Sequence, residues 1–151
     1  MRKKFAAPAL AALLALSTLT GPGSAAQAAP VPDPYQLSLM IYGALTALDQ
    51  ANTTGNYTVL RALAAPAFQS RNSPEGLANV FAKYRLAHVT LAPIVLFQPT
   101  LTEQPRVSAD GLLRLKGYFP TRPLRIGFDL TYQNVDGAWR LIAMQISPTQ
   151  A

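Results

Sequence analysis

Few side chains in this 151-residue chain could perform acid–base or nucleophilic chemistry. There is one histidine, His88, and no cysteine. A lone histidine with no neighbouring acids or cysteines makes no metal site. As a general base it needs an orienting partner, and its sequence neighbours supply none. Asp129 is the other candidate base. It lies where Leu124, Ile126, Phe128, Leu130 and Tyr132 alternate with Arg125, Gly127, Asp129, Thr131 and Gln133. That period of two marks a strand with one apolar face. Asp129 falls on the polar face, where a solvated pair with Arg125 is expected. Surface pairs of this kind contribute little stability. Arg114, Lys116, Arg122 and Arg125 are spaced apart rather than clustered, so they read as solvated strand side chains. No glycine-rich phosphate loop, Gly-x-Ser-x-Gly elbow or Ser-x-x-Lys motif occurs in the sequence. Phosphoryl transfer and serine hydrolysis therefore have no motif behind them. No cofactor and no metal are expected. Asn52-Thr53-Thr54 and Asn56-Tyr57-Thr58 match the glycosylation pattern, which matters only in a host that glycosylates.

The elements that position these residues begin after an export signal. MRKK, the apolar run Phe5 to Leu19 and the small-residue segment ending Ala26-Gln27-Ala28 form a secretory signal peptide, residues 1–28. The apolar run is shorter than the ~20 residues of a membrane span. No stable membrane span is expected after cleavage, and the mature chain is expected in the periplasm or outside the cell. Cleavage removes Arg2, Lys3 and Lys4 from the 13 basic residues, against 7 acidic ones. The mature charge is then +3 rather than +6. Without a basic groove motif, nucleic acid is not an expected partner. Lacking cysteine, the domain must be held by packing alone.

Residues 29–34, APVPDP, form a stiff leader. Asp33-Pro34 predicts a helix start, with apolar positions continuing to about Ala51. A second helix is predicted over Tyr57 to Ala64, with AFQSRN leading out of it. Ser73-Pro74-Glu75 starts a third, ending near Leu86. From Thr90 the period changes to two, predicting strands over 94–97, 112–119, 124–133 and 139–147. Pro99 and Pro105 restrict the intervening segment to a sheet edge.

The last two strands meet at Asn134-Val135-Asp136-Gly137-Ala138. Asp-Gly supports either a two-residue or a three-residue loop. The three-residue loop pairs Asn134 with Ala138 and sets Ile126, Phe128 and Leu130 opposite Ile146, Met144 and Ile142. It places all six apolar side chains on one face, so it is the expected register. Trp139, Leu141 and Ala143 then fall on the opposite, outer face. The apolar face requires the helices as a cover, giving an α+β fold with N-terminal helices on a curved antiparallel sheet.

Helix, short helix, capped helix and long strands ending in VDGAWRL resemble the NTF2-like (cystatin-like, ketosteroid-isomerase-like) superfamily over residues 35–151. The resemblance implies a cone-shaped fold with a pocket between sheet and helices. Tyr84, Phe119, Phe128, Tyr132 and Met144 would line that pocket. Three functional expectations follow. The first is an exported non-catalytic domain binding an apolar small molecule or a protein partner. The second is a cofactor-free isomerase-like or hydrolase-like enzyme using Asp129 or His88 as base. The third is an assembly module forming a homodimer through Trp139 and Leu141 on the outer sheet face.

Overall fold

The computed structural model describes residues 29–151. The expected signal peptide, residues 1–28, lies outside the described residues. Helix α1 runs Pro34–Thr54, opened by Asp33, whose side chain accepts from Gln36 N at 2.8 Å. A cap of this kind contributes about 1 kcal/mol. Gly55 closes the helix in the left-handed conformation, φ 74°. Helix α2 is Thr58–Leu63. Helix α4, Pro74–Leu86, starts as expected at Ser73, whose Oγ accepts from Gly76 N at 3.0 Å.

Two segments differ from expectation. Pro66 does not simply break α2; it occupies the first turn of a further helix, α3 (Pro66–Arg71). The missing N–H of proline is harmless in a first turn, so the same residue ends one helix and starts the next. Residues 94–97 are not a strand. Ala92–Leu96 forms a 3-10 turn that buries Ile94 and leaves Val95 and Leu96 exposed.

The sheet is five-stranded and antiparallel. Strands β3 (Leu112–Phe119), β4 (Leu124–Val135) and β5 (Ala138–Gln150) make the body. Two-residue strands β1 (Thr100–Leu101) and β2 (Arg106–Val107) both pair with the outer edge of β3. The inner face carries Leu113, Leu115 and Phe119 from β3 and Ile126, Phe128, Leu130 and Tyr132 from β4, all buried. Leu37, Ile41, Leu45 and Leu48 of α1 pack into the same core. The architecture is α+β, helices first and sheet second.

The hairpin register differs from the expected one. Val135 pairs with Ala138, so the loop is Asp136-Gly137, both at positive φ (52° and 85°). That is the backbone of a two-residue turn whose twist suits flanking strands. The bulge lies further along, where Thr131 pairs with Ala143 but Tyr132 pairs with Leu141, leaving Ile142 as the extra residue. Beyond it Leu130 faces Met144 and Phe128 faces Ile146. Because a bulge reverses the alternation, Trp139 and Leu141 turn to the inner face. Leu141 is buried and Trp139 packs on the core. The expected placement of both on the outer face is thereby corrected.

Candidate functional site

The residues expected to line an internal pocket belong to the buried core or pack against it. Phe119, Phe128 and Tyr132 are 0%, 3% and 4% exposed. The Phe119 ring lies 5.7 Å from that of Phe128 and 5.4 Å from that of Tyr42. The phenol hydroxyls are bound to backbone: Tyr132 donates to Met40 O and Tyr84 to Ile146 O, each at 2.8 Å. Burial holds the Tyr132 hydroxyl well above its ordinary pKa, so it stays a neutral donor. Met144 is half-buried against the same core.

The open space lies at the mouth of this core. An apolar cleft of about 150 Å³ is lined by Leu39, Met40, Gly43, Ala44 and Ala47 of α1, Leu60, Leu63 and Ala64 at α2, and Tyr132, Trp139 and Leu141 of the hairpin. Its shape follows from three local causes. The mid-strand bulge aims Trp139 and Leu141 inward. The α2–α3 corner is tied to β5 by Ala65 N donating to Leu141 O at 2.8 Å. Gly43 forms part of the cleft lining, and apart from its chain neighbours and the adjacent backbone of its own helix nothing lies within 4 Å of where its Cβ would stand. Leu39 and Leu63 rise from the rim, 53% and 61% exposed. A second opening of about 490 Å³ adjoins it, between the leader Ala29–Asp33 and the hairpin tip, sharing Leu39, Met40 and Trp139.

A glycine inside a helix costs about 1 kcal/mol relative to alanine. With nothing for a methyl group to strike, Gly43→Ala is expected to raise unfolding stability by about 1 kcal/mol. Equilibrium urea unfolding measures it directly; a loss of stability would mean the cleft is already filled.

The two candidate bases lie elsewhere. Asp129 is on the outer sheet face, opposite Gln145 in register, and its partner is Arg114 rather than Arg125. The guanidinium grips both carboxylate oxygens, Nε to Oδ1 at 2.8 Å and Nη2 to Oδ2. That hydrogen bond holds the Asp129 carboxyl below its ordinary value. Arg125 instead sits 4.9 Å from the centre of the Tyr118 ring. A depressed carboxyl pKa stabilises the fold above the unfolded-state value and ceases to do so as pH falls through the folded one. Arg114→Gln should therefore be less stable than wild type at pH 7, with the gap closing below the ordinary carboxylate value of 3.8. Urea midpoints at pH 7 and about pH 2.5 test this. A gap independent of pH would assign Arg114 a packing role only.

His88 is exposed, held at φ 52° just beyond α4. It has no ion-pair partner among the described residues. It borders a polar cleft of about 290 Å³ with Asp49, Asn52, Thr53, Arg85, Val89 and Thr90. The polar groups here are largely engaged in structure. Arg85 donates to Tyr57 Oη and Tyr57 to Asn52 Oδ1, both at 2.5 Å, while Leu91 N donates to Asp49 Oδ1 at 2.7 Å. Asp129 and His88 thus belong to different surfaces, and neither borders the apolar cleft.

Sequence reasoning missed the cleft itself. Its signals were Gly43 within a helical pattern, and the absence of any charged residue between Pro34 and Leu48. No protein-family model, curated protein or solved structure matches the chain.

Proposed function

We propose that this is an exported, non-catalytic binding domain whose site is the apolar cleft between α1, α2 and the hairpin, and whose ligand is an apolar segment of a protein partner. The observation that carries this reading is a partly buried Trp139 and an exposed Gly43 lining one groove, beside a filled core. Small-molecule pockets typically enclose about 300–1,000 Å³. The cleft of about 150 Å³ and the opening of about 490 Å³ beside it are both open to solvent rather than enclosed, which suits inserted side chains better than an engulfed ligand. Aromatic residues at a groove rimmed by aliphatic ones are the usual anchors of protein contacts. The free edge of β5 is a poorer site. Leu141 O and Ile146 O already accept from Ala65 N and Tyr84 Oη, and Pro148 has no N–H to offer.

The NTF2-like resemblance and the signal peptide fit this reading. An exported chain should begin at Ala29, which intact mass measures. The test of function is to purify wild type and Gly43→Phe from the native compartment and compare associated molecules by mass spectrometry. A protein recovered with wild type and lost with Gly43→Phe supports the proposal. Lipid or another small molecule recovered instead favours the carrier reading. Equal recovery with both chains refutes the cleft as the site.

A further inference from the structure

The net charge of the chain is gathered on a surface that the cleft does not use. Arg106, Arg114, Lys116, Arg125 and Arg140 are spaced along the sequence, and strand pairing brings them to one face. Arg114 and Lys116 alternate with the buried Leu113 and Leu115, so they stand on the outer side of β3. Arg106 of β2 lies directly opposite Arg114. Arg125 precedes the buried Ile126 on β4, and Arg140 of β5 lies opposite Gln133, on the same outer side. All five are exposed. Two acids reach this face, and each is already paired: Asp129 with Arg114, and Glu103 with Lys116 at 3.2 Å. Arg106, Arg125 and Arg140 have no ion-pair partner among the described residues. The other five basic and five acidic side chains of residues 29–151 cancel. The whole +3 therefore resides on the outer sheet face.

The chemistry of the face limits its partner. Among the described residues, none of the exposed large apolar side chains lies on a strand. A protein interface is built around buried aromatic and apolar anchors, which this face lacks. Its cations are spread over four strands, β2 to β5, rather than along a groove. They match charges arrayed in a plane better than a single polymer strand tracked by a channel. A layer of anionic phospholipid headgroups is such a plane, and it attracts Lys and Arg held within a Debye length of it. Tyr118, with the Arg125 guanidinium 4.9 Å from its ring centre, adds an amphipathic ring of the kind that sits at headgroup level.

We propose that the outer sheet face docks on membranes of anionic phospholipid, held by the charge of Arg106, Arg125 and Arg140 without insertion into the bilayer. The helices lie on the other side of the sheet, so a molecule resting on lipid by this face keeps its cleft open to solution. The contact does not depend on what the cleft binds.

Co-sedimentation of the mature protein with vesicles tests it. One set is pure phosphatidylcholine and the other carries about 30% phosphatidylglycerol, both in about 0.1 M salt. The expected result is binding to the anionic vesicles alone, abolished when salt is raised to about 0.5 M. Each basic residue at such a surface strengthens association by about fivefold, so Arg106→Gln/Arg140→Gln should bind about 20-fold more weakly. Arg71→Gln/Lys83→Gln removes the same charge from exposed positions on α3 and α4 and should stay within about twofold of wild type. Gly43→Phe, with its cleft filled, should bind like wild type. Circular dichroism confirms that each variant is folded. No sedimentation with anionic vesicles, or an equal loss in both double variants, overturns the proposal. So does binding to single-stranded DNA without binding to vesicles, which would make the partner an anionic polymer. Loss of vesicle binding in Gly43→Phe would move the contact to the cleft and overturn it too.

Discussion

Gly117→Ala is expected to destabilise the protein by about 3 kcal/mol, with a fall in Tm of about 10 °C. The reason is room. A Cβ at Gly117 would stand 2.2 Å from Thr100 O, 3.0 Å from Leu101 Cα and 2.9 Å from the Phe128 ring. Two of those atoms are backbone of β1, which pairs with β3 at this point. The third belongs to a ring that is 3% exposed and packed against Phe119. Relief requires β1 to leave the edge or Phe128 to leave its rotamer, and a close-packed core permits neither cheaply. Thermal and urea unfolding give the number. An unchanged midpoint would mean that β1 does not press against β3. The contrast with Gly43 is instructive: both are glycines inside regular elements, yet one is enclosed and the other faces open space.

Deletion of Ile142 should be comparably severe, about 3–6 kcal/mol, because it removes the bulge without altering the turn. With Asp136-Gly137 fixing the tip, a regular ladder cannot keep Leu141 and Trp139 on the same face as Met144 and Ile146. One pair must turn to solvent, and each large apolar side chain lost from burial costs about 1.5–3 kcal/mol. Trp139 is the single tryptophan, so its emission reports which pair moves. A red shift on deletion means the tip has flipped. Wild-type emission with lowered stability means the distal half has flipped instead. Unaltered stability would refute the bulge as the device that aims Trp139 into the cleft.

The hairpin illustrates how far the sequence could be read. The alternation of residues 124–133 gave the inner face of β4 correctly, because a half-buried strand repeats every two residues. Asp-Gly left two loops open, and preferring six apolar residues on one face moved the bulge to Gly137. The missing clue was the spacing along β5. Trp139 and Leu141 alternate, as do Met144 and Ile146, but the two pairs are three residues apart. An odd interval between inward residues requires an extra residue, which is Ile142. Helix starts at Asp33-Pro34 and Ser73-Pro74 were legible because side-chain cap and proline act together. Pro66 lacked such a cap, its preceding residue being Ala65, so its helix went unread. Ile94–Phe97 is apolar and short, and such runs do not distinguish strand from turn by period.

The candidate site was legible only in pieces. Tyr132, Trp139 and Leu141 were singled out, but for a pocket and for an outer interface respectively. Their convergence depends on the bulge and on the α2–α3 corner that binds Leu141 O, neither of which a local pattern shows. Asp129 was read as an outer-face residue, while Arg114 as its partner came from the neighbouring strand and required the β3–β4 register.

Site-specific photocrosslinking tests the central claim, that the protein binds through the α1–α2–hairpin cleft, most directly. A photoreactive residue at Leu63, on the cleft rim, is compared with one at Val80, which is equally exposed at 61% on α4 and does not border the cleft. Both are introduced into the mature protein in its own compartment, with and without Gly43→Phe. The account predicts a discrete adduct from position 63 that disappears when Gly43 is filled, and none from position 80. Adducts that are the same from both positions, or that persist with Gly43→Phe, would contradict it.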